Sequence, residues 1–138
     1  MKFSHTIATT ASRQAIWRLW TDVSTWAEWD TELKSAYLNG NFALGSKGTL
    51  VPKTGVKSAF EITEYHPGES YAFTIPLFLS QLTIRRSFSD REGLTKFTHE
   101  IRFSGFLGGL FGFLLGRKFK RVLPSVMENL RLQAECEL

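Results

Sequence analysis

Hydrophobic and polar positions alternate in the first residues. Phe3, His5 and Ile7 fall on one face, and Lys2, Ser4 and Thr6 on the other, the two-residue period of a half-buried strand. The period then lengthens. Ser12 reads as an N-cap, and Ile16, Leu19, Trp20 and Val23 recur after it at helical spacing. The segment DVSTWAEWD restarts with a second capping residue, Ser24, and predicts another, short helix. From Leu33 to Phe103 the chain returns to extended segments: ELKSAYLN, GSKGTLVPK, VKSAFEITEY, YAFTIPLF, SQLTIRRSFS and LTKFTHEIRFS. HPGES and DREG supply turns between them. Connections this short make neighbouring strands antiparallel, since parallel partners need a crossover of about a dozen residues or more.

The C-terminal segment predicts one long helix. Phe119, Val122, Leu123, Val126, Met127, Leu130 and Ala134 cover an arc of about 140°. Arg117, Lys118, Lys120 and Arg121 lie outside that arc, and Pro124 inside the helix predicts a kink. The order is strand, two short helices, six strands, long helix. It gives an α+β fold: a curved, seven-stranded antiparallel sheet whose apolar face is covered by the C-terminal helix, the only element long enough to do so. Residues 1–138 form one domain.

Aromatics reach 14%, with 12 Phe and 4 Trp, enough to fill a core or to line a cavity for an apolar ligand. The net charge of +4 permits contact with anionic lipid or nucleic acid without requiring either. Acidic residues are dispersed among the basic ones, so nucleic acid is not expected as a partner. Cys136 stands alone, which excludes an intrachain disulfide and a cysteine zinc site. The N-terminus alternates instead of forming a signal-peptide core, so a cytoplasmic protein is expected. No apolar run reaches the ~18–20 residues of a membrane span. No nucleophile elbow, phosphate-binding glycine loop or metal-ligand cluster appears, and no cofactor is expected.

The segment FLGGLFGFLLGRKFKR, Phe106 to Arg121, holds more glycine than helix stability favours. It reads as a mobile loop and helix start at a cavity mouth, with Leu110, Phe111 and Leu114 turned partly inward as a lid. The cations Arg117, Lys118, Lys120 and Arg121 follow early in the helix, where the macrodipole disfavours them. They form either a solvated face or a weak contact with an anionic membrane surface.

The ordered set of motifs resembles the helix-grip superfamily, also called SRPBCC or START-like and typified by the birch pollen allergen. It is similar above all to that superfamily's bacterial polyketide cyclase/dehydrase-like members. The resemblance rests on ASRQAIWRLWTDVSTWAEWD with Trp26 and Trp29, on GSKGTL, on FEITEYHPGESYAF, and on GRKFKRVLPSVMENLRLQAE with its internal proline. It implies a hollow between sheet and final helix that holds a small hydrophobic molecule such as a lipid or polyketide. It implies chemistry less firmly, and no catalytic residue carries over. The readings are a binding or carrier protein, a cyclase or dehydratase acting on such a ligand, or a membrane-surface protein handling a lipid or quinone.

Strand alternation marks the inward polar residues. His99 lies on the apolar face with Phe97, Ile101 and Phe103, and is either a core histidine or a ligand contact. The helix-grip resemblance implies that the first and last strands are neighbours, which would put His5 near it, but two histidines make a poor metal site. Arg86 lies inward with Leu82, Ile84 and Phe88. It meets a carboxylate such as Glu64, which shares a face with Phe60 and Ile62, or meets a ligand, or is turned outward by a bulge. Trp26 and Trp29 either stack on a ligand or pack between helix and sheet. Tyr71 and Phe73 continue the inward stripe. The candidate ligand contacts are thus Trp26, Trp29, Tyr71, Phe73, Ile84, Arg86, Phe97, His99, Leu110, Phe111 and Met127. An enzyme would use His99 or Tyr71 as acid or base, with Arg86 holding an enolate.

Overall fold

In the computed structural model, which describes residues 1–89 and 93–136, the alternating segments form one seven-stranded antiparallel sheet. Strands β1 (Lys2–Thr9), β2 (Leu33–Leu38), β3 (Lys47–Pro52), β4 (Ser58–His66), β5 (Ser70–Leu77), β6 (Ser80–Ser89) and β7 (Thr95–Ser104) lie in the order β1-β7-β6-β5-β4-β3-β2. Helices α1 (Arg13–Thr21) and α2 (Trp26–Trp29) connect β1 to β2, and α3 (Gly108–Cys136) ends the chain. Ser12 caps α1, its Oγ accepting from the Ala15 N–H at 3.1 Å. Ser24 does not cap α2. It lies in a 3₁₀ turn (Val23–Thr25) and donates to Asp22 instead. The HPGES turn is closed by Glu69 N–H donating to His66 C=O, with Gly68 at φ 78°. Most of the DREG turn lies outside the described residues.

Two local departures from ideal strands matter. Gly48 pairs with Phe60 across β3 and β4, and a Cβ on Gly48 would lie 2.5 Å from the Phe60 ring. The missing side chain lets that ring lie flat over β3. The β4–β5 register also shifts between Ile62 and Glu64. The extra residue of this bulge returns Glu64 to the outer face, where it accepts from Arg85 Nε at 3.1 Å and from Ser70 Oγ at 3.1 Å. The expected Glu64–Arg86 pair is therefore not formed.

Helix α3 is continuous from Gly108 and passes through the exposed Pro124. The Gly-rich segment is not a loop, which corrects the lid reading. Gly108, Gly112 and Gly116 recur every four residues and are buried. A Cβ would lie 3.2 Å from the Phe103 backbone at Gly108, and 2.8 Å from Met1 Cβ at Gly112. These glycines let α3 start in close contact with the ends of β1 and β7. Gly105, at φ 91° and with Ser80 Cα 2.8 Å from a would-be Cβ, turns the chain from β7 toward α3.

Helix α3 packs on β1, β7 and β6, and against α1 and α2. On the concave face, Trp20, Trp26 and Trp29 of α1–α2 and Met127 of the second half of α3 join Tyr71 of β5 and Phe97 of β7 in one core, all fully buried. The first half of α3 stands away from the β2–β5 side of the sheet, and a hollow opens there.

Candidate functional site

Cross-strand register lines up one polar row on the concave face. Tyr65 lies opposite Tyr71, Tyr71 opposite Arg86, Arg86 opposite His99, and His99 opposite His5. The next row is apolar, with Phe73, Ile84, Ile101 and Phe3. Arg86 thus stands where the packed core ends and the hollow begins.

The Arg86 side chain is held by a cage of rings. The residue is 4% exposed, and its Nη1 donates to Tyr71 Oη at 2.5 Å. Its guanidinium carbon lies 4.8, 4.9 and 5.0 Å from the ring centres of Trp26, Trp29 and Phe73. A desolvated cation over a ring gains up to about 2 kcal/mol, so the cage offsets part of the cost of burying charge. Among the described residues Arg86 forms no ion pair, and its Nε–H is buried without a hydrogen-bond partner. Trp29 Nε1–H is likewise buried and unpartnered.

The polar neighbours of Arg86 are fixed by their own bonds. Tyr71 Oη donates to the Trp20 carbonyl at 3.0 Å, and burial pushes its pKa up to about 12 against the opposing pull of Arg86. His99 Nε2 accepts from Trp20 Nε1 at 3.0 Å, which requires Nε2 to be the bare nitrogen. Burial first, then the charges of Arg86 and His5, hold the His99 pKa well below 6.5. Asp30 accepts from the Glu32 N–H at 3.1 Å. Burial raises its pKa, opposed by that hydrogen bond and by Arg86.

The hollow has a volume of about 320 Å³, within the range of small-molecule sites. The sheet contributes Leu33, Leu50, Phe73, Ile75, Leu82 and Ile84 to its wall, and α3 contributes Leu115, Phe119 and Val122. Trp26, Asp30 and Arg86 line it as well. Glu32 and Lys118 also line it and pair at 3.1 Å, linking the α2–β2 connection to α3. Both partners are largely exposed, so the pair is worth at most about 1 kcal/mol.

Of the sequence-predicted contacts, Trp26, Phe73, Ile84 and Arg86 are on the cavity wall. Trp29, Tyr71, Phe97, His99 and Met127 are buried in the packed core and are not part of that wall. Leu110 is half exposed and Phe111 packs on the core, and neither borders the hollow. Leu114 is exposed, and Leu115 takes the inward place expected of it. Asp30, Glu32, Leu33, Leu50 and Leu115 were not legible as wall residues. The 4- and 3-residue steps from Leu115 to Phe119 and Val122 are the one signal that could have marked the helix's contribution. Among the described residues no cluster of three or more His, Cys, Asp or Glu could hold a metal ion. No described helix is long and apolar enough to cross a membrane.

The sequence model of the family described as polyketide cyclase/dehydrase and lipid transport matches residues 1–135. No curated protein sequence matches the chain. Among solved structures, the chain is similar to TTHA0849 from Thermus thermophilus (14% identity, 99% of each chain covered, TM-score 0.76). It is also similar to the di-domain ARO/CYC StfQ from the steffimycin biosynthetic pathway (12% identity, 99% of this chain and 51% of that one, TM-score 0.76). A third is Ara h 8.0201 (10% identity, 99% of this chain and 98% of that one, TM-score 0.71). At these identities the likeness is one of fold, the helix-grip arrangement of sheet and closing helix.

Proposed function

The chain belongs to the polyketide cyclase/dehydrase and lipid transport family, and on that premise we propose that it binds a small hydrophobic molecule bearing an oxygen acceptor at one end. The apolar part occupies the hollow between α3 and the β2–β5 side of the sheet. The acceptor, a carbonyl, enol or carboxylate oxygen, meets Arg86. One observation carries this reading: the Nε–H of a caged, buried and unpaired arginine on the wall of a mostly apolar cavity. A buried donor without a partner is destabilising, and a ligand oxygen there would satisfy it.

The magnitudes agree with a reversible carrier. Burying ~250 Å² of ligand gives roughly 6 kcal/mol before association costs. A hydrogen bond to a charged donor adds about 1.5–3 kcal/mol, a preference of roughly 10- to 100-fold over a hydrocarbon of equal length. Binding and carriage are favoured over turnover because Tyr71 and His99, the acid–base candidates, are engaged with Trp20 and lie outside the cavity wall.

The test is displacement of an apolar fluorescent probe by decanoic acid, by a ketone of similar length and by the hydrocarbon. Acid and ketone should compete at least about tenfold better than the hydrocarbon, and Arg86→Met should erase the difference while leaving probe binding in place. Equal competition by all three, or conversion of the ligand during incubation, would contradict the carrier reading.

A further inference from the structure

The first two and a half turns of α3, residues 108–116, are apolar on both faces. Gly108, Gly112 and Gly116 meet the sheet, while Leu110, Phe113 and Leu114 are exposed, Phe113 by 75%. A helix that is hydrophobic all round belongs in a core or in lipid. Phe106, 87% exposed, precedes it. Beside it stands the tip of the β5–β6 hairpin, Phe78 and Leu79, both exposed. Leu107 N–H donates to Leu79 C=O at 3.0 Å, which joins hairpin and helix start into one surface. Leu79 has φ 51°, a conformation that glycine or asparagine adopts more cheaply. The turn holds a strained leucine and presents two apolar side chains to water.

Cations continue the same outer stripe. Leu110, Leu114, Arg117 and Arg121 are separated by steps of 4, 3 and 4 residues, which keeps them on one side of the helix. Lys120 is exposed beside them. Among the described residues Arg117, Lys120 and Arg121 form no ion pair, whereas Lys118 is engaged by Glu32. Their position in the helix offers no dipole compensation.

We propose that this surface docks on an anionic lipid bilayer. Phe78, Leu79, Phe106, Leu110, Phe113 and Leu114 enter the interface, and Arg117, Lys120 and Arg121 meet lipid phosphates. Charge complementarity favours lipid over a second copy of the chain. Two such patches face to face would bring both sets of cations together. Leu77 and Leu115, chain neighbours of Phe78 and Leu114, line the hollow, so the docked face borders the cavity. The docking stands on its own observations; only direct passage of a ligand between bilayer and cavity rests on the ligand-binding reading.

Flotation of the full chain with vesicles tests it, using phosphatidylcholine alone and an equal mixture with phosphatidylglycerol. The protein should float with the mixed vesicles at low salt and dissociate as salt rises. Phe78→Ser combined with Phe113→Ser should lower partitioning at least about tenfold with unchanged circular dichroism. Replacing Arg117, Lys120 and Arg121 by Gln should lower partitioning onto mixed vesicles by up to about a hundredfold, roughly fivefold for each cation. Three outcomes overturn the proposal. The first is no flotation with either vesicle, whatever the ligand result. The second is flotation indifferent to both sets of substitutions. The third is a concentration-dependent dimer that Phe113→Ser dissociates, without vesicle binding.

Discussion

His99 is neutral because its bare Nε2 is committed to Trp20 and its ring is buried near the positive charge of Arg86. In the unfolded chain the same imidazole takes up a proton as pH falls through about 6.5. The folded pKa is lower, so the folded protein binds fewer protons in that window. Stability is therefore full above about pH 6.5 and declines below it, by up to about 1.4 kcal/mol per pH unit from this residue. Urea unfolding from about pH 8 to about pH 5 should show His99→Gln losing less stability than the parent; parallel losses would contradict the assignment. Diethylpyrocarbonate should modify the exposed His66 well before His99, and equal rates would deny the burial. Alternation turns His99, Arg86, Tyr71 and Phe73 inward, and at Arg86 the alternative of an outward-turning bulge is removed by the unshifted β5–β6 and β6–β7 registers. Alternation misassigned Glu64 because the bulge at Thr63 depends on pairing with β5, and no residue in FEITEYH announces it.

Glycine in α3 acts as an absence of side chain on a packed face, and its effects should differ by position. Gly112→Leu would drive a side chain into Met1, whose backbone pairs with Phe103 at the end of β7. Overpacking of this kind costs about 1–3 kcal/mol, a fall in Tm of roughly 3–10 °C at this size. Gly109 has open space around a would-be Cβ, and Gly109→Ala should leave Tm unchanged or raise it, since Ala favours a helix by up to about 1 kcal/mol. Equal effects at the two positions, read by thermal circular dichroism, would remove the packing explanation. The four-residue spacing of Gly108, Gly112 and Gly116 is visible in the sequence. Its partners, Met1 and Phe103, are distant along the chain, and only the close approach of β1 and β7 to α3 shows that the spacing serves contact and not mobility.

The run of antiparallel strands from β2 to β7 and the closing helix follow from periodicity, short connections and the need to cover one apolar face, whereas the place of β1 beside β7 comes only from the helix-grip resemblance. The hollow does not follow from periodicity. It exists because α3 lies over β1, β7 and β6 and leaves the β2–β5 side uncovered along its first half, a matter of helix placement that no local pattern encodes. The aromatic residues counted from the sequence divide accordingly, most of them filling the packed half, a few (Trp26, Phe73 and Phe119) facing the cavity, and Tyr37, Phe78, Phe106 and Phe113 exposed. Arg86 stands at the division, and the proposed function depends on what its free Nε–H meets. The most direct measurement is proton–nitrogen NMR of that Nε–H during titration with decanoic acid, the resonance being assigned by its loss in Arg86→Met. The expected result is a saturable shift of this signal together with slower exchange with water. A signal that stays in place while the acid saturates the protein, or an acid that does not bind at all, would contradict a ligand site at Arg86.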